Sequence, residues 1–469
     1  MTSRTSYGGD RTTLLRLYHA LIRSVLDYAS VVYDGALNNI KQPLDAVHHA
    51  CIRMATGAFR TSRRASLLAD ASEPPLDLRR KRLALGYACK IRQFPNHPTF
   101  KWIFDESLVD LFALGRQSSS SALCTRISHW LGESGIDFDK VAEKRPERLE
   151  PWRRISPHCN LELMRFGKTQ TLPSEFAQLA AEEISSYRGY TKLYTDGSKG
   201  PAGAGCAFTG DAVRRCFGLP SVVSVFTTEL YAILQVLRYI SRRPAGRHLI
   251  ITDSASSLAA LRSSHTHASW LVPAILKLLT TLSASGAETR FLWVPSHVGI
   301  SGNEAADEAA KIAASLAPPP RFKVPPADIK VLINQSLQSE WQTRWEAEPD
   351  CFLKHLRPTV DRWESSSRRN RREEVCLTRL RIGHTYITHG HYLSQSDPNT
   401  CPKCGERLTV KHVLSETAVC AGLRTIRNQF LWGLSVSDIL GNNSTVDFKR
   451  VLTYLTEIGF DIIYNPRRT

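Results

Sequence analysis

The sequence predicts an α/β protein whose centre is a mixed five-stranded sheet with helices on its faces, flanked by helical regions at both ends. Two observations support this fold class. Between residues 188 and 317, three short strand-like runs are followed by alternating helical and strand-like segments, which is typical of a mixed sheet with helices packed against it. Before this region and after residue 326, apolar residues recur at helical spacing.

The elements of the central region follow from local patterns. The runs TKLYTD, GAGCAFTG and AVRRCFGL are bounded by Gly or Asp, which favour turns, so we expect Asp196 to end the first strand. The later elements are expected in the order helix 227–241, strand HLIITD, a short helix, a longer helix through SWLVPAILKLLTTLSA, strand TRFLWVP and helix 303–316.

The chain is expected to contain five segments. They are a helical region (1–112), a connection that includes GRQSSSSALC (113–187), the α/β domain (188–317), a stiff Pro-rich linker (318–326) and a helical tail with the basic run RRNRREE (327–469). Within the first segment, helices are predicted around 41–56 and 76–94.

The composition favours a polyanionic partner. The formal net charge is +17, from 61 basic and 44 acidic residues, and such an excess points to nucleic acid ahead of an anionic membrane. No stretch approaches the roughly 20 apolar residues of a membrane span, and the N-terminus lacks the pattern of a signal peptide. Eleven scattered cysteines indicate a reduced environment. We therefore expect an intracellular protein, nuclear or cytoplasmic, that handles nucleic acid and has no membrane contact.

Four acidic residues occupy positions that turns and caps explain one by one but not together: Asp196, Glu229, Asp253 and Asp307. Asp253 follows a strand apolar enough to be central, at the edge where α/β sheets build their sites. Glu229 shares a helix face with apolar residues that must face the core: Ala232, Ile233, Val236, Leu237 and Ile240. Buried carboxylates need a cation, and hard divalent ions prefer oxygen ligands. The implied chemistry is two-metal hydrolysis of a phosphodiester.

The motifs YTDGS, TELYAILQVL, IITDS and WVPSHVGISGNEAADEAA come in the order found in type 1 ribonuclease H domains, and this region resembles that family. The resemblance implies cleavage of the RNA strand of RNA–DNA hybrids, with two Mg²⁺ ions, or Mn²⁺, bound by the four acids. It implies that His297 assists proton transfer or product release. Contacts with the hybrid are expected from Gly197, Ser198, Ser254 and Asn303, and the glycines of KGPAGAGCAF are expected to let a duplex approach the backbone.

The N-terminal runs RTTLLRLYHALIRSVLDYASVVYDGA, CIRMATGAFRTS and LRRKRLALGYACKI resemble the thumb-side part of reverse transcriptases from non-LTR retrotransposons. This resemblance implies that the chain is the rear portion of such a polyprotein or a remnant of one. The sequence has no paired-Asp turn of the kind found in the polymerase palm, so polymerisation is not expected.

The tail segment CPKCGERLTVKHVLSE resembles the zinc-binding segment that follows ribonuclease H in the same elements. The resemblance implies Cys401, Cys404 and His412 as ligands, whereas the family's fourth ligand falls on Thr417. Cys420 could replace it, since structural zinc takes four N or S ligands. Zinc binding and two incidental cysteines on a turn therefore remain alternatives. The neighbouring histidines are expected to be packing or solvated residues: His384, His389 and His391.

Two alternatives to ribonuclease activity remain. Transposases and integrases share the sheet architecture and use acidic residues for DNA strand transfer, but they lack this four-acid pattern with Glu on the first helix and the His loop. The second alternative is a catalytically silent retrotransposon remnant that binds nucleic acid through its positive surface. Thr417 at a ligand position favours this alternative, and the five intact site residues argue against it.

Overall fold

The computed structural model describes residues 8–113, 122–143, 155–167, 171–263, 269–368, 370–415, 419–442 and 444–460. Most of the predicted flexible stretch 115–124 lies outside these residues. The chain divides into two compact units. The helical unit comprises residues 1–85, 110–126 and 335–469, and the sheet unit comprises residues 86–109 and 127–334.

The sheet unit contains one mixed sheet of six strands in the order β1-β6-β5-β2-β3-β4. The strands are β1 His158–Asn160, β2 Thr191–Gly200, β3 Gly203–Gly210, β4 Val213–Leu219, β5 Arg247–Thr252 and β6 Glu288–Trp293. Strands β2, β3 and β4 are antiparallel neighbours, and the remaining pairs are parallel. The predicted fold class is confirmed.

The sixth strand is a correction to the prediction of five. β1 has three residues and lies in the segment predicted to be a connection. It pairs in parallel with the edge of β6, with His158 opposite Arg290. A strand this short is stabilised by its neighbour in the sheet and carries no local pattern that would predict it.

The helices of the described residues are, in chain order, α1 Arg11–Leu17, α2 Ser24–Asp27, α3 Ser30–Tyr33, α4 Asn38–Thr56, α5 Arg64–Ala71, α6 Leu76–Arg92, α7 Pro98–Phe104, α8 Glu106–Ala113, α9 Leu123–Ser134, α10 Pro173–Ser186, α11 Val225–Ile240, α12 Ala255–Arg262, α13 Leu271–Ala284, α14 Ser301–Ala313, α15 Pro326–Ala347, α16 Phe352–Leu356, α17 Arg371–Ile382, α18 Tyr386–His389, α19 His391–Ser394, α20 Val410–Leu414, α21 Ala421–Leu431, α22 Val436–Leu440 and α23 Phe448–Glu457. A π-helical stretch, Tyr18–Arg23, joins α1 to α2. The predicted helices are confirmed by α4, α6, α11, α13 and α14. None of the described helices is both long enough and apolar enough to cross a membrane.

Helices α11 and α14 cover opposite faces of β2 and β3. Gly197 pairs with Cys206, and a Cβ on Gly197 would meet the start of α11, whereas a Cβ on Gly205 would meet the end of α14. Cys206 faces the same side of the sheet as its pair Gly197, towards α11. Because successive residues of a strand point to opposite faces, Gly205 faces the other side, towards α14. Each helix therefore brings its side chains to the central strands from its own side.

The Pro-rich segment 318–326, predicted to be a linker, packs within the sheet unit. The Phe322 ring lies edge-on to Tyr231, with 5.3 Å between ring centroids. Val324 is fully buried and forms a bridge with Val141. These contacts make the segment part of a packed core, and the five proposed segment boundaries remain a prediction.

The helical unit has a separate core. Leu377, Leu380, Val413, Leu440 and Val451 lie in one buried cluster. Three arginines of this unit are also fully buried. Their guanidinium groups donate to backbone carbonyls, as Arg381 does to Leu440 at 2.7 Å, which satisfies the buried donors. The C-terminal part of this unit is thus held by backbone capping as well as by apolar contact.

Candidate active site and candidate metal centre

Asp196 lies within β2 and not at its end. The strand continues to Gly200, with Asp196 opposite Ala207 of β3, so the prediction that Asp196 ends the strand is wrong. Gly197, the next residue, also lies within β2, and its missing side chain is needed for packing and not for a turn. A Cβ on Gly197 would lie 2.5 Å from the Glu229 backbone nitrogen and would also clash with the Thr228 hydroxyl. The missing side chain lets α11 begin directly against β2.

Glu229 is buried at the start of α11, with 5% of its surface exposed. The predicted apolar face is confirmed, because every member is buried: Ala232, Ile233, Val236, Leu237 and Ile240. Glu229 Oε2 is buried and has no hydrogen-bond partner among the described residues. Burial raises the pKa of Glu229 well above its usual range, and the charges of Asp196 and Asp253 raise it further. A bound cation would offset this cost and keep the Glu229 carboxylate ionised.

Asp253 completes a group of three carboxylates. It directly follows β5, and one oxygen each of Asp196, Glu229 and Asp253 lie within 4.8 Å of one another. Burial raises the pKa of Asp196 to about 7, with the charges of Asp253 and Asp307 adding to the effect. Three oxygen donors whose negative charges repel one another are the donor set that Mg²⁺ prefers, so the residues present fit a divalent ion.

The fourth predicted acid lies beside this group. Asp307 Oδ2 accepts a hydrogen bond from Lys311 Nζ at 2.7 Å, one helical turn along α14. The carboxylates of Asp307 and Glu304 and the His297 ring have ligand atoms within 4.8 Å of one another. The charge of Asp307 acts on Asp196 and raises its pKa. The structure thus brings three of the acids together and places the fourth next to them, in an ion pair.

His297 is exposed on the loop before α14, with a positive φ of 58°. Glu304 holds this loop, since the backbone N–H of Gly299 donates to Glu304 Oε1 at 3.3 Å. Glu304 and Lys311 were not among the predicted site residues. Their spacing of three and four residues from Asp307 was the available signal, because residues at these distances share a helix face.

The residues predicted to contact substrate occupy different environments. Ser198 is half-buried on β2. The buried Ser254 donates its hydroxyl to Ser257 Oγ at 2.8 Å. Asn303 is 2% exposed, and its Nδ2 donates to Asp253 Oδ2 at 3.4 Å. Asn303 therefore contacts a carboxylate of the acidic group and not solvent. Gly197 is covered by α11.

The glycines of KGPAGAGCAF were expected to let a duplex approach the backbone, but two of them, Gly203 and Gly205, pack against α14 instead. A Cβ on Gly203 would lie 2.5 Å from the Ala314 carbonyl oxygen, and one on Gly205 would lie 2.8 Å from the Ala313 Cβ. Close packing of the end of α14 explains both positions. Gly200 has open space around its Cα.

The helical unit contains a second candidate metal centre. One ligand atom each of Cys401, Cys404, His412 and Cys420 lie within 4.8 Å of one another. The sulfurs of Cys401 and Cys420 are 3.9 Å apart, and Cys404 Sγ is 3.6 Å from His412 Nε2. Thr417 lies outside the described residues. Cys420, immediately before α21, therefore completes a four-ligand set.

The surroundings of Cys401 favour the ionised form of its thiol. Burial by itself would raise its pKa, but hydrogen bonds from His412 and from the backbone N–H groups of Lys403 and Cys404 lower it to about 6. Thiolate is the form that binds metal. One Cys₃His set of this geometry suits tetrahedral zinc.

Three other histidines of the tail, His384, His389 and His391, lie in one cluster. The rings of His384 and His389 are stacked with centroids 3.6 Å apart, and His391 is buried. Burial lowers the pKa of His384 to about 4 and that of His389 to about 3. Of the two roles expected for these residues, packing or solvation, the structure shows packing.

The family model for RNase H matches residues 188–315, close to the predicted 188–317. No curated protein matches the chain. The family generally uses divalent metals and acts on nucleic acid, and the buried carboxylates are compatible with both. The family match, the mixed sheet and the acidic group together support an RNase H domain at residues 188–315.

Proposed function

We propose that the chain is a metal-dependent endonuclease that hydrolyses the RNA strand of RNA–DNA hybrids. The observation that carries this proposal is the convergence of Asp196, Glu229 and Asp253, with Glu229 Oε2 buried and unsatisfied among the described residues. A structural role would pair or neutralise such charges, whereas a site for two divalent ions needs them ionised and close.

Asp196, Glu229 and Asp253 would hold the ions, and Asp307 would join them on leaving Lys311. When bound, the ions supply a Lewis acid that activates water and stabilises the leaving oxygen. Asn303 orients the Asp253 carboxylate through its amide. His297, exposed on its loop, would exchange a proton with the leaving group as a general acid or base.

The substrate class follows from the family match and the charge. A +17 chain attracts a nucleic-acid backbone. Discrimination of RNA from DNA requires contact with the 2′-OH groups of one strand. Ser198, half-buried beside Asp196, and the open Gly200 are the nearest positions on β2 for such contacts.

The proposal is tested with purified protein, a labelled RNA–DNA hybrid and Mg²⁺, with Mn²⁺ in parallel. Asp196→Asn should abolish cleavage of the RNA strand. Asp211→Asn, an equal change at an exposed acid on the β3–β4 turn, should leave it intact. Binding of the hybrid without cleavage by the wild type would instead support the silent nucleic-acid-binding remnant. Equal cleavage by wild type and Asp196→Asn would overturn the assignment of the site.

We also propose that Cys401, Cys404, His412 and Cys420 bind zinc as a structural ion. The support is the mutual approach of four N and S ligand atoms. Cys420→Ser should reduce bound zinc, measured by elemental analysis, to well below one ion per chain. Cys351→Ser, at a half-buried cysteine outside this group, is the matched control. Equal zinc content in both variants would contradict the assignment of Cys420.

The retrotransposon origin of the chain is part of the proposal. It is supported by the N-terminal and tail resemblances and by a Cys₃His group that follows the RNase H domain in the sequence. On this view the protein acts in or derives from an element that copies RNA into DNA, where RNA–DNA hybrids arise.

A further inference from the structure

The end of α4 and the start of α5 carry arginines without nearby acids in the sequence. From residue 46 to residue 69 the chain has four arginines and two histidines, but no Asp, Glu or Lys. Arg60, Arg63 and Arg64 are exposed, and Arg53 is half-buried. We call these four residues the arginine patch.

The loop that presents the patch is anchored within the helical unit. Phe59 is buried, and the Arg379 guanidinium lies 5.5 Å from its ring centroid. Arg379 Nε also donates to the Gly57 carbonyl at 3.0 Å. Thr61 Oγ1 and His384 Nδ1 are 3.0 Å apart and share a hydrogen bond. The loop is therefore fixed by its own buried residues while its arginines point to solvent.

The charges of the patch repel one another. Arg53 Nε is buried without a hydrogen-bond partner among the described residues. Burial lowers the pKa of Arg53, and the charges of Arg64 and Arg60 lower it further. The charge of Arg63 likewise lowers the pKa of His384. At the edge of the patch, the charge of Asp45 instead raises the pKa of His49. An anion with several acceptor oxygens would relieve the repulsion among the arginines.

We propose that the arginine patch binds the phosphodiester backbone of nucleic acid, at a contact separate from the acidic group of the RNase H domain. Guanidinium groups bind phosphate oxygens in pairs, and a patch made only of arginines suits that geometry. A membrane surface fits less well, because Phe59 is buried and the loop offers no aromatic side chain for insertion. Backbone contacts of this kind position nucleic acid without reading its sequence.

The test compares two triple variants of the full chain for binding to a 20-base-pair DNA duplex in buffer without Mg²⁺ or Mn²⁺ and without a chelator, so that binding is measured without cleavage and the zinc proposed for the helical unit is kept. Arg60→Gln, Arg63→Gln and Arg64→Gln together should lower affinity at 0.1 M salt at least ~10-fold. The slope of log K against log salt should fall by about 3, close to one for each phosphate that the variant no longer neutralises. The control removes three scattered charges at exposed positions by Lys101→Gln, Lys330→Gln and Lys449→Gln and should change affinity less than ~3-fold.

A third variant, which keeps the positive charges, distinguishes loss of charge from a change in folding. With Arg60, Arg63 and Arg64 all replaced by Lys, the salt slope should stay within about 1 of the wild-type value. An equal reduction of affinity in the Gln triple and the scattered control would overturn the proposal, because net charge alone would then explain binding. If the Gln triple failed to bind phosphatidylserine vesicles but bound DNA as the wild type does, the proposal would also be overturned and the patch assigned to a membrane. These outcomes do not depend on nuclease activity.

Discussion

In metal-free protein, Asp196→Asn should stabilise the sheet unit at the same time as it abolishes cleavage. Asp196 is 6% exposed and lies beside Glu229 and Asp253, so its ionised form is disfavoured by both desolvation and repulsion. Asn keeps the shape of the side chain and removes the charge.

The magnitude follows from the pKa of Asp196, which the fold raises from 3.8 to about 7. A pKa difference of 1 corresponds to about 1.4 kcal/mol, so a difference of about 3 corresponds to about 4 kcal/mol of stability, as an upper value. The unfolded chain ionises near pH 4 and the native state only near pH 7. Stability is therefore lost as pH rises between these values, and the full loss is present above about pH 7. The variant should gain about 2–4 kcal/mol at pH 8 and almost nothing below about pH 4.

The assay is urea unfolding in buffer without Mg²⁺ or Mn²⁺ and without a chelator. Unfolding is followed by pulsed hydrogen exchange in peptides from β2 and α11, which reports on the sheet unit alone. Asp307→Asn is the control, because its partly exposed ion pair with Lys311 should contribute no more than about 1 kcal/mol. Mg²⁺ should stabilise the wild type and not Asp196→Asn. Equal or lower stability of Asp196→Asn at pH 8 would show that the charge of Asp196 does not destabilise the metal-free sheet unit.

Three further changes test the site and the packing around it. His297→Ala should lower kcat on the hybrid at least ~10-fold with little change in KM, and an unchanged kcat in steady-state assays would remove the residue from proton transfer. Gly197→Ala should destabilise the sheet unit by about 1–3 kcal/mol, because the new Cβ meets the start of α11, whereas Gly200→Ala, at an open position, should not. Phe322→Ala should cost about 3 kcal/mol if the Pro-rich segment belongs to the core, and a free linker would show no effect in the same exchange measurement.

The sequence was sufficient for the parts of the fold that local patterns determine. The helical face that carries Glu229 is a property of α11 itself, because apolar side chains at offsets of three, four, seven and eight can be buried only together. The same stripe predicted that the carboxylate faces the sheet, as it does. The order of strands and helices between β2 and α14 followed from equally local signals.

Other features depend on partners that lie far away in the chain. Gly197 resembles a turn residue beside Asp196, but the presence of α11 against β2 makes it a strand residue that must lack a side chain. β1 exists because β6 offers an unpaired edge. Cys420 joins the other cysteines because of how α21 is placed, which spacing along the chain does not determine.

The acidic group and the arginine patch each contain a buried charged atom that lacks a hydrogen-bond partner among the described residues and is surrounded by charges of the same sign. By contrast, the buried Arg381 guanidinium is satisfied, since its Nε donates to the Leu440 carbonyl. Glu229 Oε2 and Arg53 Nε are buried atoms without a partner among the described residues, and each lies among charges of its own sign. Such a conflict lowers stability and persists where a ligand of opposite charge offsets it. The carboxylates repel one another and so do the guanidinium groups, so the ligands that would offset the two repulsions are a cation and a polyanion, as the proposed function expects.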